Sequence, residues 1–237
     1  MDKARDYWLL LGLIVLGAGC VDGPLYALKK VNPYYRSQWD KDLQLGPTYE
    51  QRMAELNLLK EQLPAMSATQ QTAWAERLAT IVANDASPEL RARAVLTMGA
   101  IQSQETVEAL NIASGDDNEK VRLAACKAWK SQQGAAARDM LLSLAQRDSE
   151  TTSVRKAAVD SLAAFDEAEV RTALGRLLDD SSPAIQFQVA QSLKTMSGRD
   201  YGGDLESWKH YLAGENIPEP PTESVAEELW NSLPSFR

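Results

Sequence analysis

Few residues in this chain are equipped for chemistry. It has two cysteines, Cys20 and Cys126, and one histidine, His210. A thiol becomes a nucleophile, or takes a covalent group, once it is deprotonated. An imidazole moves protons near neutral pH. A single histidine cannot build a His-rich metal site, and no cysteine or carboxylate cluster surrounds His210 in sequence. Beside Trp208 and Tyr211 it reads as a surface or interface residue. Cys126 falls in an apolar helical register and reads as a small core residue. Carboxylate pairs such as Asp116-Asp117 and Asp179-Asp180 have the groups for acid–base work. Both stand in turns, where helix capping accounts for them. The chain carries no Gly-rich phosphate loop, nucleophile elbow or CxxC pair. The expectation is therefore a non-enzyme, with no catalytic residue, no metal, no cofactor and no small-molecule substrate.

Cys20 is the exception, because of what precedes it. Residues Trp8 to Gly19 are almost wholly apolar and follow Lys3 and Arg5. A run of about a dozen apolar residues is shorter than the ~20 needed to span a bilayer, so it reads as a targeting segment. It ends in Leu16-Gly17-Ala18-Gly19-Cys20, and small residues directly before a cysteine resemble the lipobox of bacterial lipoproteins. The resemblance implies that residues 1–19 are a signal peptide and that Cys20 takes a diacylglycerol as the first mature residue. It departs from the usual pattern at Gly17, where Leu is commoner, and Asp2 and Asp6 offset the leading bases. A secretory signal or an uncleaved anchor with an incidental cysteine is the alternative reading. Either way the protein is expected to be exported; with the lipid it is held at the cell membrane or outer membrane and faces the periplasm.

The remaining composition is that of an ordinary folded protein, with 24% charged and 44% hydrophobic residues. Its net charge of −8 does not favour a phosphate backbone, so no nucleic-acid partner is expected. Residues 20–47 hold Gly23-Pro24, Asn32-Pro33 and Gly46-Pro47, which are breaker signals and mark a linker or strap. Within it Lys29, Lys30, Tyr34, Tyr35, Arg36 and Trp39 mix bases with aromatics. They suit either a strap packing on the first helices or a juxtamembrane segment touching anionic headgroups.

The elements come next. Thr48 and Gln51 form a capping-box pattern ahead of Met53, Leu56, Leu59 and Leu63, one helical stripe closed by Pro64. Ser67 and Gln70 open a second helix with Trp74, Leu78, Ile81 and Val82 inward, so 48–84 is a divergent capping pair. From 85 to 213 the chain repeats itself every 31 to 33 residues, starting at Asp85, Asp116, Asp148 and Asp180. Leu90, Ala94, Val95 and Met98 recur as Val121, Ala125, Cys126 and Trp129. They recur again as Val154, Ala158, Val159 and Leu162, and as Ile185, Val189, Ala190 and Leu193. A second helix follows in each unit, with Leu110, Leu141 and Leu174 equivalent, and Ser103 and Asp166 as N-caps for two of them. Two apolar faces copied at constant spacing require stacked hairpins, because one hairpin cannot bury both. The predicted fold is all-α, an α-solenoid.

These units resemble bacterial HEAT repeats of the short, phycobilisome-lyase-like type, with an Asp in the turn and an Arg early in the next helix. Asp85 and Arg91 match, as do Asp116 and Arg122; Asp148 and Arg155 match with one added residue, and Asp180 meets Gln186 instead. The resemblance implies a ladder in which each carboxylate caps a helix and bonds a neighbouring guanidinium, ending at Gln186. The stretch Ser197 to Asp204, leading into Trp208, resembles the end of the array in bacterial HEAT-repeat lipoproteins. Gly202 would allow a tight turn, Asp204 would cap a short helix, and Trp208 would seal the last repeat. Beyond it, 214–237 is a Pro-rich linker and a short amphipathic helix, Thr222 to Asn231, with Val225, Leu229 and Trp230 on one side. That helix would either dock on the array or offer itself to a partner.

The function expected from all this is a membrane-anchored, non-catalytic scaffold for an unidentified protein partner in the cell envelope. Two alternatives come from the same features: a bilin-lyase-like enzyme or accessory, and a purely structural envelope component.

Overall fold

The structure is a computed structural model, and it describes residues 46–215, 217 and 218. Cys20, the basic–aromatic stretch 29–39 and the expected helix 222–231 lie outside the described residues. By its internal contacts the chain divides after Arg52. In the first unit the described part is the start of helix α1 (Tyr49–Gln62). Its capping box is closed by Thr48, whose N–H donates to Gln51 Oε1 at 2.9 Å while Gln51 N–H donates to Thr48 Oγ1 at 3.3 Å.

The second unit holds the rest of α1 and nine further helices among the described residues. They are α2 (Ala68–Asn84), α3 (Pro88–Met98), α4 (Gln104–Ser114), α5 (Glu119–Ser131) and α6 (Ala135–Gln146). Then come α7 (Thr152–Leu162), α8 (Ala168–Leu177), α9 (Pro183–Ser197) and α10 (Leu205–Leu212). The described residues contain no strand, and the fold is an α-solenoid of helical hairpins.

Two layers run along the array. Helices α3, α5, α7 and α9 stack in order as one layer, and α2, α4, α6, α8 and α10 stack as the other. The recurring apolar register explains this. Leu90, Ala94, Val95 and Met98, with all their equivalents in α5, α7 and α9, are no more than 2% exposed. Leu110, Leu141 and Leu174 face them from the second layer, each fully buried. One continuous core results, from Leu56 to Trp208.

Small residues set the spacing. A Cβ placed on Gly99 would lie 3.0 Å from Ala128 Cβ and 3.1 Å from Ala128 Cα, so α3 and α5 meet there because both side chains are minimal. Thr97, Ala128, Ser161 and Ser192 share this register. Ser192 Oγ donates to Val159 O at 3.0 Å, and Thr97 Oγ1 donates to Leu56 O at 3.3 Å, joining neighbouring helices where they approach.

The N-termini are built mostly as local chemistry requires. Ser67 and Gln70 form a full capping box on α2. Ser87, Ser103 and Thr151 each accept an N–H in the first turn of α3, α4 and α7. Asp166 departs from its expected capping role: Glu167 occupies the N-cap of α8 and no side chain caps it, while the Asp166 carboxylate pairs with Arg171. One residue of offset takes the carboxylate off the N-cap position and beside the Arg171 guanidinium, with which it makes a charge-assisted pair.

Candidate functional site: the ladder, the array end and the outer face

The guanidinium ladder runs between repeats rather than within them. Arg91 on α3 reaches forward to Asp116, with Nε to Oδ2 at 2.8 Å and Nη2 to Oδ1 at 2.7 Å, while its Nη1 donates to Asp85 O at 2.8 Å. Arg91 thus clamps the backbone of its own turn and the carboxylate of the next, and Arg122 Nη1 likewise donates to Asp116 O at 2.7 Å. Asp116 Oδ1 also accepts Asn118 N–H at 2.8 Å, and Asp85 Oδ1 accepts Ser87 N–H at 2.9 Å, so these carboxylates shape their turns as well. Burial pushes the Asp116 carboxyl up, but the Arg91 and Asn118 hydrogen bonds and the nearby guanidinium charges outweigh it and hold it below its usual range. Arg91 is held more firmly protonated by the same contact.

The next rung corrects the sequence reading. Arg122 does not meet Asp148, which is exposed. Its partner is Glu150, with Nη2 to Oε1 at 2.8 Å and Nε to Oε2 at 3.0 Å, and the Glu150 side chain is only 4% exposed. The reason is the added residue in this turn. It carries Asp148 out of line, and the longer side chain of Glu150, two positions on, fills the gap. Glu150 Oε1 also accepts Thr151 N–H at 2.8 Å. Burial raises the Glu150 carboxyl, but Arg122 and the Thr151 N–H hold it below its usual range. The altered turn reaches Arg155 too. It pairs with Asp180 as its equivalents do, but its Nε donates to Ala145 O at 3.0 Å instead of to its own turn. Asp180 is likewise lowered despite burial, through Arg155 and the Ser182 N–H. In α9, Gln186 Nε2 donates to Asp180 O at 2.8 Å. It keeps the backbone half of the arginine's work and gives up the charged half.

The array end is an aromatic plug. Asp204 Oδ1 accepts the N–H groups of Glu206 and Ser207 at the start of α10, and Gly202 turns the preceding loop at φ 55°. Trp208 is fully buried and its Nε1 donates to Gly202 O at 3.2 Å. Its ring stands edge-on to Tyr201 at 4.9 Å and to Tyr211 at 5.9 Å. Such pairs add to simple area burial. Tyr201 OH donates to Ile217 O at 3.1 Å, tying the chain beyond α10 back to the plug. His210 points outward, with Nδ1 2.9 Å from Glu215 Oε2.

Other contacts had no signal in the sequence. Gln132 is buried, and its Nε2 donates to Gly99 O at 2.7 Å and Ile101 O at 3.1 Å, clamping the previous repeat's loop. Trp129 Nε1 donates to Ser114 Oγ at 2.9 Å, which settles the one polar atom of the largest side chain in the mid-array core. Each occurs in one repeat only, so no periodicity announces it. Cys126 behaves as expected of a core thiol: it is fully buried, and burial pushes its pKa up to about 12.

A family model for HEAT repeats matches residues 75–152 and 139–206, together more than half of the sequence. The chain belongs to the HEAT-repeat family. The matched span runs from within α2 to the first turn of α10 and contains every arginine of the ladder. No curated protein matches this chain.

The outer face of the α3–α9 layer carries one row of side chains that recurs with the repeat. Ala92, Leu123, Lys156 and Phe187 stand at equivalent positions on successive helices, and Phe187 is 59% exposed. At the other end of the array, Arg77 stacks over the half-buried Trp74 ring at 5.0 Å. No group of side chains suited to holding a metal ion occurs among the described residues, and none of their helices is long and apolar enough to cross a membrane.

Proposed function

We propose that this HEAT-repeat chain is a non-catalytic interaction scaffold, held at a membrane of the cell envelope by a lipid on Cys20. The observation that carries the scaffold reading is the continuity of its surface. Equivalent positions on four successive helices of one layer form a row of side chains, partly exposed at Ala92, Leu123 and Lys156 and exposed at Phe187, fixed in spacing by the Arg91–Asp116, Arg122–Glu150 and Arg155–Asp180 rungs. A rigid, repeated row suits an extended protein partner, since neighbouring repeats can each supply a contact without reordering. The row varies from Ala92 through Leu123 and Lys156 to Phe187, and such variation on a constant frame is how a repeat array gains specificity. The anchoring part of the proposal rests on the apolar run and small residues ahead of Cys20.

Photo-crosslinking from membranes tests the scaffold reading. A photoreactive residue placed at Leu123 is expected to capture one dominant protein, and the same residue at Ser143, on α6 in the opposite layer, is not. Capture of the same set from both positions, or of none from either, would refute a specific interaction face.

A further inference from the structure

The two layers of the array are charged differently. Helices α3, α5, α7 and α9 together hold nine Lys or Arg and three Asp or Glu side chains. Helices α2, α4, α6, α8 and α10 hold five and six. Six of the nine bases are engaged within the fold. The ladder arginines pair with Asp116, Glu150 and Asp180, and Lys120, Lys130 and Lys194 pair with Glu89, Asp160 and Asp200. Glu119, the third carboxylate of these helices, accepts the Thr151 hydroxyl at 3.0 Å. What remains is Arg93, Lys127 and Lys156, none with an ion-pair partner among the described residues.

These three cations share one side of the layer. Counted from the buried Leu90 and its equivalents, Lys156 and Phe187 stand two residues on, Arg93 three and Lys127 six. At ~100° per residue they fall within an arc of about 100°, opposite the core positions. Along the row, the partly exposed Leu123 and the exposed Phe187 flank Lys156, one helix to either side and each roughly 9 Å away at ordinary helix spacing. The surface therefore runs apolar, cationic, apolar, and every carboxylate of its helices is already engaged. We propose, resting on the reading of this row as the interaction face, that the partner is an acidic polypeptide segment whose apolar side chains, set to either side of its carboxylates, meet Leu123 and Phe187. Its carboxylates would meet cations that no other group holds, so no existing pair has to break. A plane of anionic headgroups is a poorer match. It would also press on Glu89 and Asp160, whose side chains are 44% and 59% exposed on this face, whereas a single chain along the row passes beside them.

Fluorescence anisotropy with two labelled peptides tests this on the full chain in nonionic detergent. One peptide sets a run of glutamates between two leucines, and the other replaces every glutamate by lysine. At ~0.1 M salt, where charges act over about 10 Å, the acidic peptide should bind about tenfold more tightly or better. Lys156→Glu should weaken it about tenfold and Phe187→Ala severalfold. Arg176→Glu, a charge change of the same size at an exposed site of α8 in the other layer, should leave it unchanged. The acidic peptide should also slow acetylation of Lys127 and Lys156 relative to the exposed Lys60. Circular dichroism confirms that each variant keeps its helices. Equal binding of the two peptides, or an equal loss in Arg176→Glu and Lys156→Glu, would overturn the proposal, while the interaction face itself is read separately by the photo-crosslinking at Leu123. Acetylation of Lys127 and Lys156 that slows on phosphatidylglycerol vesicles and not with the peptide would overturn it too, because a lipid surface would then be the occupant.

Discussion

Replacing Arg122 by Met should cost this protein about as much stability as protonating a buried carboxylate at neutral pH. The substitution keeps the aliphatic stem and removes the guanidinium that faces Glu150, whose side chain is 4% exposed. Left there with only the Thr151 N–H and the more distant charge of Arg147 to offset its burial, Glu150 at the limit takes up a proton. Holding a carboxyl with an ordinary pKa of 4.5 protonated at pH 7 costs about 3.4 kcal/mol, at ~1.36 kcal/mol per pH unit. That lies within the ~3–5 kcal/mol typical of breaking a buried ion pair by removing one partner. In a chain of this size it corresponds to a melting-temperature loss of roughly 7–14 °C. The cost has a pH signature: near pH 4.5 the carboxyl protonates without penalty, and only the lost bonds to the Asp116 and Asp117 carbonyls remain, about 1 kcal/mol. Glu150→Gln retains an acceptor and should cost about 1–2 kcal/mol. Asp148→Asn, at an exposed position, should stay within about 0.5 kcal/mol. Urea titrations of the three variants at pH 7 and 4.5 measure all of this. If Asp148→Asn costs as much as Glu150→Gln, or if the Arg122→Met cost is the same at both pH values, the rung has been assigned to the wrong carboxylate.

Further outcomes follow from the same packing. Gly99→Ala puts a methyl 3.0 Å from Ala128 Cβ and should cost about 1–3 kcal/mol by thermal melting, and Ala128→Gly in the same chain should recover part of it. Trp208→Ala empties the aromatic plug and should cost about 3–5 kcal/mol, with hydrogen exchange rising first in α9 and α10. The Asp116, Glu150 and Asp180 carboxyls are all lowered in the folded state. Their contribution is complete above the ordinary values of 3.8 and 4.5 and is lost as the pH falls through the lower folded values. Stability should therefore be flat from pH 7 to about 5 and drop steeply below about 4, in urea midpoints taken across that range.

The sequence carried the fold further than it carried the surface. Burial repeats with the period, so Leu90, Val121, Val154 and Ile185 could be aligned by eye, and all four are no more than 2% exposed. The ladder was legible where the turn length is constant, at Asp116, and misread where one residue is added, at Asp148. Sequence spacing counts residues, whereas a guanidinium is satisfied by any carboxylate its arms reach, and Glu150 is the one that is near. Asp166 was read as a cap for a similar reason, since its proximity to Arg171 is a matter of side-chain geometry. Gln132 and the Trp129–Ser114 bond were invisible because each occurs once, in a single repeat, and joins residues that nothing in the pattern connects. The exposure of Phe187 could not be read either, since Ala92 and Leu123 in the same register are partly buried.

The membrane-held scaffold stands or falls first on Cys20. Cells expressing the full chain would be fed a palmitate analogue, and the protein isolated from washed membranes and from the soluble fraction. The wild type should carry the label and sediment with membranes, and Cys20→Ala should carry none and leave the lipid-dependent fraction. Equal labelling and equal sedimentation of the two proteins would contradict the anchor and, with it, the proposed place of this array in the cell.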